Sequence, residues 1–213
     1  MTITVFGATG LVGKHVIDLA LAKNYTIKAF GRNVESLIDE DIKSHHQLQA
    51  IKGFVFDEVE VYNAVKGSDA VISVLGGSFD GLDKTRSLGI KNIIHQMNNA
   101  NVKRIIALGG MGILNDSQNK LIIDSPDYPE IYLAVGKEHL EAYNYLKTSN
   151  LNWTFVCAPD ILNEDADGKY ITSADYPPTP NKYKINAGNI ALFILNELEK
   201  NEYINHRVGI SNL

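Results

Sequence analysis

Two periodicities alternate along the chain. The run Thr2–Phe6 (TITVF) is β-branched and apolar, as a strand would be. Over residues 12–22, Val12, Val16, Ile17, Leu19 and Ala20 recur at helical spacing. The same exchange continues. Strands are predicted at 26–30, within 50–56, and at 70–75, 104–108, 152–157 and 208–211, and helices at 34–39, 59–65, 83–100, 129–148 and 187–200. Such alternation predicts an α/β fold: a Rossmann-like, doubly wound parallel sheet of seven strands with helices on both faces, in one domain over 1–213. Two stretches, 109–128 and 158–184, lack either period. They follow strands five and six at the sheet edge where ligands bind in open α/β folds, so a small substrate lobe is expected there. Tyr170, Tyr176, Pro177, Pro178, Pro180 and Tyr183 favour a semi-rigid substrate cover in the second. Segment 41–49 (DIKSHHQLQ) is hardest to read. His45 and His46 are adjacent and cannot both face one ligand from a helix or strand, so a solvated loop is expected rather than a metal site.

Composition narrows the class. The chain has 213 residues, 45% hydrophobic and 21% charged, with net charge −5, which argues against a nucleic-acid surface. No apolar run approaches the ~20 residues of a membrane helix. The first residues already form a core strand, so no signal peptide is expected. Cys157 is the single cysteine, so no internal disulfide forms, and a cytoplasmic location is expected. It lies in the run Thr154-Phe155-Val156-Cys157, where a buried structural thiol is expected. The partner expected is a small-molecule substrate, with a homodimer or protein partner also open.

Candidate chemistry begins at Gly7-Ala8-Thr9-Gly10-Leu11-Val12-Gly13, between the first strand and the first helix. A glycine-rich turn in that context presents backbone N–H groups and the positive end of a helix dipole to a pyrophosphate. Gly7 allows the tight turn, Gly10 lets backbone approach phosphates, and Gly13 lets the helix pack on the sheet. Strand two ends in Gly31-Arg32-Asn33, where an NAD-binding protein usually places Asp or Glu on the ribose 2′-hydroxyl. A guanidinium there accommodates a 2′-phosphate, so NADP(H) is expected over NAD(H).

GATGLVG at this position resembles the fingerprint of the atypical short-chain dehydrogenase/reductases. It is most similar to their NmrA-like and NAD(P)H-binding (flavin reductase, biliverdin-IXβ-reductase-like) group. Leu151-Asn152-Trp153-Thr154 and Ile185-Asn186-Ala187-Gly188-Asn189 extend the resemblance over nearly the whole chain. Cys157 and Asn189 replace the Arg and Asp usual in those two segments; a structural role is expected for Asn189. The resemblance implies that Asp57 lies near the adenine, although a helix cap is the competing reading. It implies that Leu75, Gly76 and Gly77 border the adenosine ribose and diphosphate, and that Lys137 reaches the nicotinamide ribose, although a solvated helix face would also use that lysine. Thr9, Leu11 and Val12 complete the expected cofactor set. No hydroxyl stands at 109–112, where ordinary short-chain dehydrogenases carry Ser or Thr. Leu133 occupies the Tyr position of a Tyr-x-x-x-Lys pair with Lys137, and Tyr143 with Lys147 matches that spacing too near strand six to be catalytic. A complete cofactor site beside an incomplete catalytic set implies an NADPH-dependent reductase of a conjugated acceptor such as a flavin or quinone. The alternative is a non-catalytic NADP(H) sensor of the NmrA kind. A nucleotide-sugar epimerase or dehydratase is third, disfavoured by the missing Tyr and the short chain.

Overall fold

The computed structural model describes residues 1–34 and 45–213. Residues 35–39 of the helix expected at 34–39 and residues 41–44 of the segment 41–49 lie outside the described residues; His45 and His46 are exposed, their rings stacked 5.8 Å apart. In chain order the elements are β1 (Thr2–Phe6), α1 (Leu11–Ala22), β2 (Thr26–Gly31), β3 (Leu48–Lys52), α2 (Glu58–Val65), β4 (Ala70–Ser73), α3 (Thr85–Asn99), β5 (Arg104–Gly110), α4 (Glu130–Lys147), β6 (Asn152–Ala158), β7 (Asp160–Leu162), β8 (Tyr170–Ala174), β9 (Lys184–Asn186), α5 (Ala187–Lys200) and β10 (His206–Asn212).

The main sheet runs β3-β2-β1-β4-β5-β6-β10-β8. Its first seven strands are parallel, and β8 joins β10 antiparallel. Strand residues alternate between two apolar layers, as the pleat requires. Ile3, Val5, Ile72 and Val208 pack with Val16 and Ile17 of α1 and Ile190 and Ile194 of α5. Phe6, Val71, Ile105 and Phe155 pack on the other face with Val61 of α2, Ile93 and Met97 of α3 and Leu146 of α4. Successive strands step away from β1 on either side, so the chain reverses direction between β1 and β4 and opens a crevice at their C-terminal ends.

Two expectations need correction. Strand three is Leu48–Lys52, earlier than predicted. The ladder stops at Gly53, whose missing side chain makes room for the Phe30 ring, and the apolar triplet Phe54-Val55-Phe56 lies beyond the sheet. The stretch 158–184 is not a lobe of loops alone. β7 pairs with β9, and β8 becomes the edge of the main sheet. Tyr170 packs edge-on against Phe193 of α5, with ring centres 6.2 Å apart, and so stiffens that edge. Among the described residues no helix is long and apolar enough to cross a membrane.

Candidate functional site

The turn after β1 is shaped by contacts that exclude side chains. Gly7 has φ +84°, in the left-handed region, and a Cβ there would stand 2.5 Å from the Val74 carbonyl oxygen. A Cβ at Gly13 would collide with the Gly7 carbonyl and the Ala8 backbone, so the first turn of α1 rests directly on the loop. Gly10 N donates to Gly7 O at 3.0 Å, and Lys14 N makes the first helical bond, to Gly10 O at 3.1 Å. The helix therefore offers no acceptor to the N–H groups of Leu11, Val12 and Gly13, and Gly10 supplies no side-chain cap. Leu11 is exposed and Val12 is buried in the core. These donors, with the dipole of α1, make the turn electropositive.

The turn opens into a cleft of about 600 Å³ across the C-terminal ends of β2, β1 and β4. Gly7, Thr9 and Gly10 form one side, and Gly31 and Arg32 the rim beyond β2. Phe54, Val55 and Phe56 form an apolar wall, and Val74, Leu75 and Gly76 close the β4 side. A Cβ at Gly76 would meet nothing within 4 Å, so the backbone there borders open space. Leu82, Lys84 and Leu88 complete the boundary at the start of α3. Asp83 is the one carboxylate among the described lining residues, and it is committed to the loop: its carboxylate accepts from Ser78 N at 3.1 Å and Thr85 N at 2.8 Å. The Thr85 contact, with lesser help from Ser78 and Arg86, holds it below the usual carboxylate range. No acidic side chain stands at the end of β2 beside Arg32 among the described residues.

Three expected residues take other places. Asp57 is the N-cap of α2: its Oδ1 accepts from Glu60 N at 2.9 Å, and the aromatic wall before it faces the cleft instead. Gly77 lies outside the lining, and a Cβ there would stand 2.6 Å from Asp83 Oδ2. Buried Arg86 donates to Gly77 O at 2.9 Å and Ser78 O at 3.0 Å, so this glycine serves the packing of the loop. Lys137 is exposed on α4 and outside the lining. Among the described residues the lysine that lines the cleft is Lys84, whose Nζ donates to Glu138 Oε1 at 2.6 Å. Glu138 is 3% exposed, and its other oxygen accepts from Ser87 Oγ at 2.5 Å.

Tyr143 is packed against Trp153 and Phe155, with Lys147 Nζ 5.9 Å and Arg207 Cζ 5.0 Å from its ring centre, and it lies outside the cleft lining. Two other expectations hold. Cys157 is fully buried, and burial pushes its thiol pKa up. Asn189 is structural: its Oδ1 accepts from Asp167 N and Gly168 N, and its Nδ2 donates to Asp167 Oδ1 at 2.8 Å.

Beyond β5 and β6 the structure gathers polar groups that no motif announces. Tyr132 donates to Asp160 Oδ1 at 3.4 Å. The Tyr128 hydroxyl lies 2.5 Å from where a Cβ of Gly112 would be and 3.0 Å from that of Gly136. Burial, then Tyr132, raises the pKa of Tyr128. His139 of α4 faces Gly110, and burial, then Arg86, lowers its pKa to about 3. The sequence trace of these side chains is the set of glycines facing them, which reads as ordinary loop and helix until the partners are known.

Comparison with known proteins agrees with this architecture. A candidate NADH-flavin reductase from Streptococcus pneumoniae superposes with TM-score 0.82 and 27% identity over 100% of both chains. A candidate epimerase from Bacteroides thetaiotaomicron gives TM-score 0.86 and 27% identity over 100% of this chain and 97% of the other. An uncharacterised chloroplast protein of Arabidopsis thaliana is 21% identical over 173 residues, 78% of this chain. The chain spans 61% of the length of that relative. The family described as NAD(P)H-binding matches residues 7–201, from the first glycine of the turn to the end of α5, and the chain belongs to that family.

Proposed function

We propose that this chain is an NADPH-dependent reductase that delivers hydride to a conjugated acceptor such as a flavin or quinone. Arg32 carries the cofactor preference: it stands on the rim at the end of β2, with no carboxylate beside it among the described residues. The remaining residues fit a dinucleotide. The N–H groups of 11–13 would hold the pyrophosphate, Phe54 and Phe56 would flank the adenine, and open space at Gly76 would admit the ribose. A bound nicotinamide would supply the hydride. The chain's own part is to bind, orient and shield. The absence of a hydroxyl at 109–112 suits an acceptor that accepts hydride without strong acid assistance. The name of the pneumococcal neighbour supports a flavin acceptor while specifying NADH, so cofactor choice is the point to test.

A charge-assisted contact to the 2′-phosphate contributes about 1.5–3 kcal/mol, or roughly ten- to a hundredfold in affinity. Calorimetry should show wild type binding NADPH that much tighter than NADH, and Arg32→Ala binding both alike. Equal affinities in wild type would refute the preference. A non-catalytic NADP(H) sensor with a protein partner has one observation in its favour. Leu82 of the cleft lining is 84% exposed, and Phe79 (59%) and Ile131 (71%) are exposed on the loop and helix joined where Gly81 abuts Ala134 of α4. Mixing protein, NADPH and FMN or a quinone separates the two: loss of 340 nm absorbance requires turnover.

A further inference from the structure

The corner after β5 is Gly109-Gly110-Met111-Gly112. Gly110 has φ −106° and ψ 154°, extended backbone that any residue adopts, so the path of the chain does not demand glycine there. A neighbour crowds a larger residue instead. A Cβ at 110 would stand 3.0 Å from Cδ2 and 3.4 Å from Nε2 of His139, closer than most such contacts. An imidazole from α4 thus lies directly against the corner at 110.

The other edge of that ring is sealed. Nδ1 of His139 is buried and has no hydrogen-bond partner. Burial, with Arg86 nearby, keeps the ring neutral, and a neutral imidazole carries one N–H. On Nδ1 that proton would be a buried donor without an acceptor. On Nε2 it lies on the edge facing the Gly110 corner. We propose that His139, through Nε2–H, is the hydrogen-bond donor to the acceptor, replacing a hydroxyl that position 110 lacks. The proposal rests on the reductase reading above. In the balanced reaction the acceptor gains a hydride from NADPH and a proton from solvent, and NADP⁺ is released. His139 keeps its proton and holds the acceptor oxygen or nitrogen on which negative charge gathers.

Three variants test this with NADPH saturating and FMN or 1,4-naphthoquinone as acceptor. His139→Phe should lower kcat/KM about tenfold, the size of one lost hydrogen bond. His139→Gln keeps a donor and should retain most of the activity. Gly110→Ser combined with His139→Ala returns a hydroxyl to the corner and should recover activity that His139→Phe loses. NADPH affinity should be unchanged throughout. A second readout needs no turnover: in ¹⁵N-histidine spectra of wild type, His139 should be the neutral Nε2–H tautomer, and its resonance should move when either acceptor is added to the NADP⁺ complex. If His139→Phe cannot fold, the other two variants and the resonance decide. Wild-type rates in His139→Phe, or a resonance that neither acceptor moves, would overturn the proposal. If wild type oxidises no NADPH with either acceptor, the reductase reading fails, and the resonance alone then settles whether His139 meets the acceptor.

Discussion

At Gly10 the one atom within reach of an added Cβ is the Gly7 carbonyl oxygen, 3.2 Å away, and the residue is exposed on the cleft. Gly10→Val should therefore leave far-UV dichroism unchanged and abolish NADP(H) binding, because an isopropyl group would take the space above the free N–H groups. Binding retained in that variant would place the phosphates elsewhere. Gly13 differs, because any side chain there strikes the turn itself and the damage would fall on folding. The two lysines divide in the same way. Lys84→Met should weaken NADPH binding and lower thermal stability, since Lys84 lines the cleft and pairs with buried Glu138. Lys137→Ala should do neither, and calorimetry beside a melting curve checks both. Gly7, Gly10 and Arg32 were legible because each belongs to a turn of consecutive residues, whereas Gly77 sits in such a turn and serves packing. Lys84 was not, because its partner is 54 residues away on another helix.

Helices and strands were legible wherever one apolar face met the sheet; α5 and the fifth and sixth strands fall within two residues of expectation. Reading failed where apolar residues serve something other than the sheet. Phe54-Val55-Phe56 has the composition of a strand and lines the cleft instead. That shift also misplaced Asp57, which belongs to α2. Its carboxylate satisfies the Glu60 N–H, while the aromatic wall is held by Glu60, whose Oε2 accepts from Phe54 N at 2.7 Å. Asp57→Ala should cost about 1 kcal/mol of stability, as lost helix caps do. NADPH affinity should be little changed. A large loss of affinity without loss of stability would restore the adenine role.

At the scale of the molecule, the doubly wound parallel sheet followed from the alternation of elements, but the eighth strand did not. YITSA at β8 is short and sits inside a stretch without period, and its pairing partners on β10 are Val208 to Asn212, far along the chain. What holds this edge is Arg207 of β10, which is 7% exposed. It donates to Ile113 O at 2.6 Å, Asn115 Oδ1 at 3.1 Å and Asp175 Oδ1 at 3.3 Å, joining β10 to the segments after β5 and β8. Arg207→Ala should cost about 2–3 kcal/mol in urea unfolding, the scale of hydrogen bonds to a charged group. A cost near zero would mean that β8 docks without it.

The antiparallel strand has one more effect. Without β8, the flank of β10 away from β6 would be a free row of N–H and C=O groups on a strand carrying Val208 and Ile210. Such a flank invites another chain to extend the sheet. Here β8 occupies it from Val208 to Asn212, and the Pro177-Pro178 pair that follows contributes no backbone N–H donor of its own. A second copy could add a strand beside β10 only after β8 had peeled away. The excursion after β6 thus moves the open edge of the sheet from the seven-residue β10 to the five-residue β8, and a shorter edge offers another chain fewer unpaired groups; trimming the excursion would uncover the longer strand.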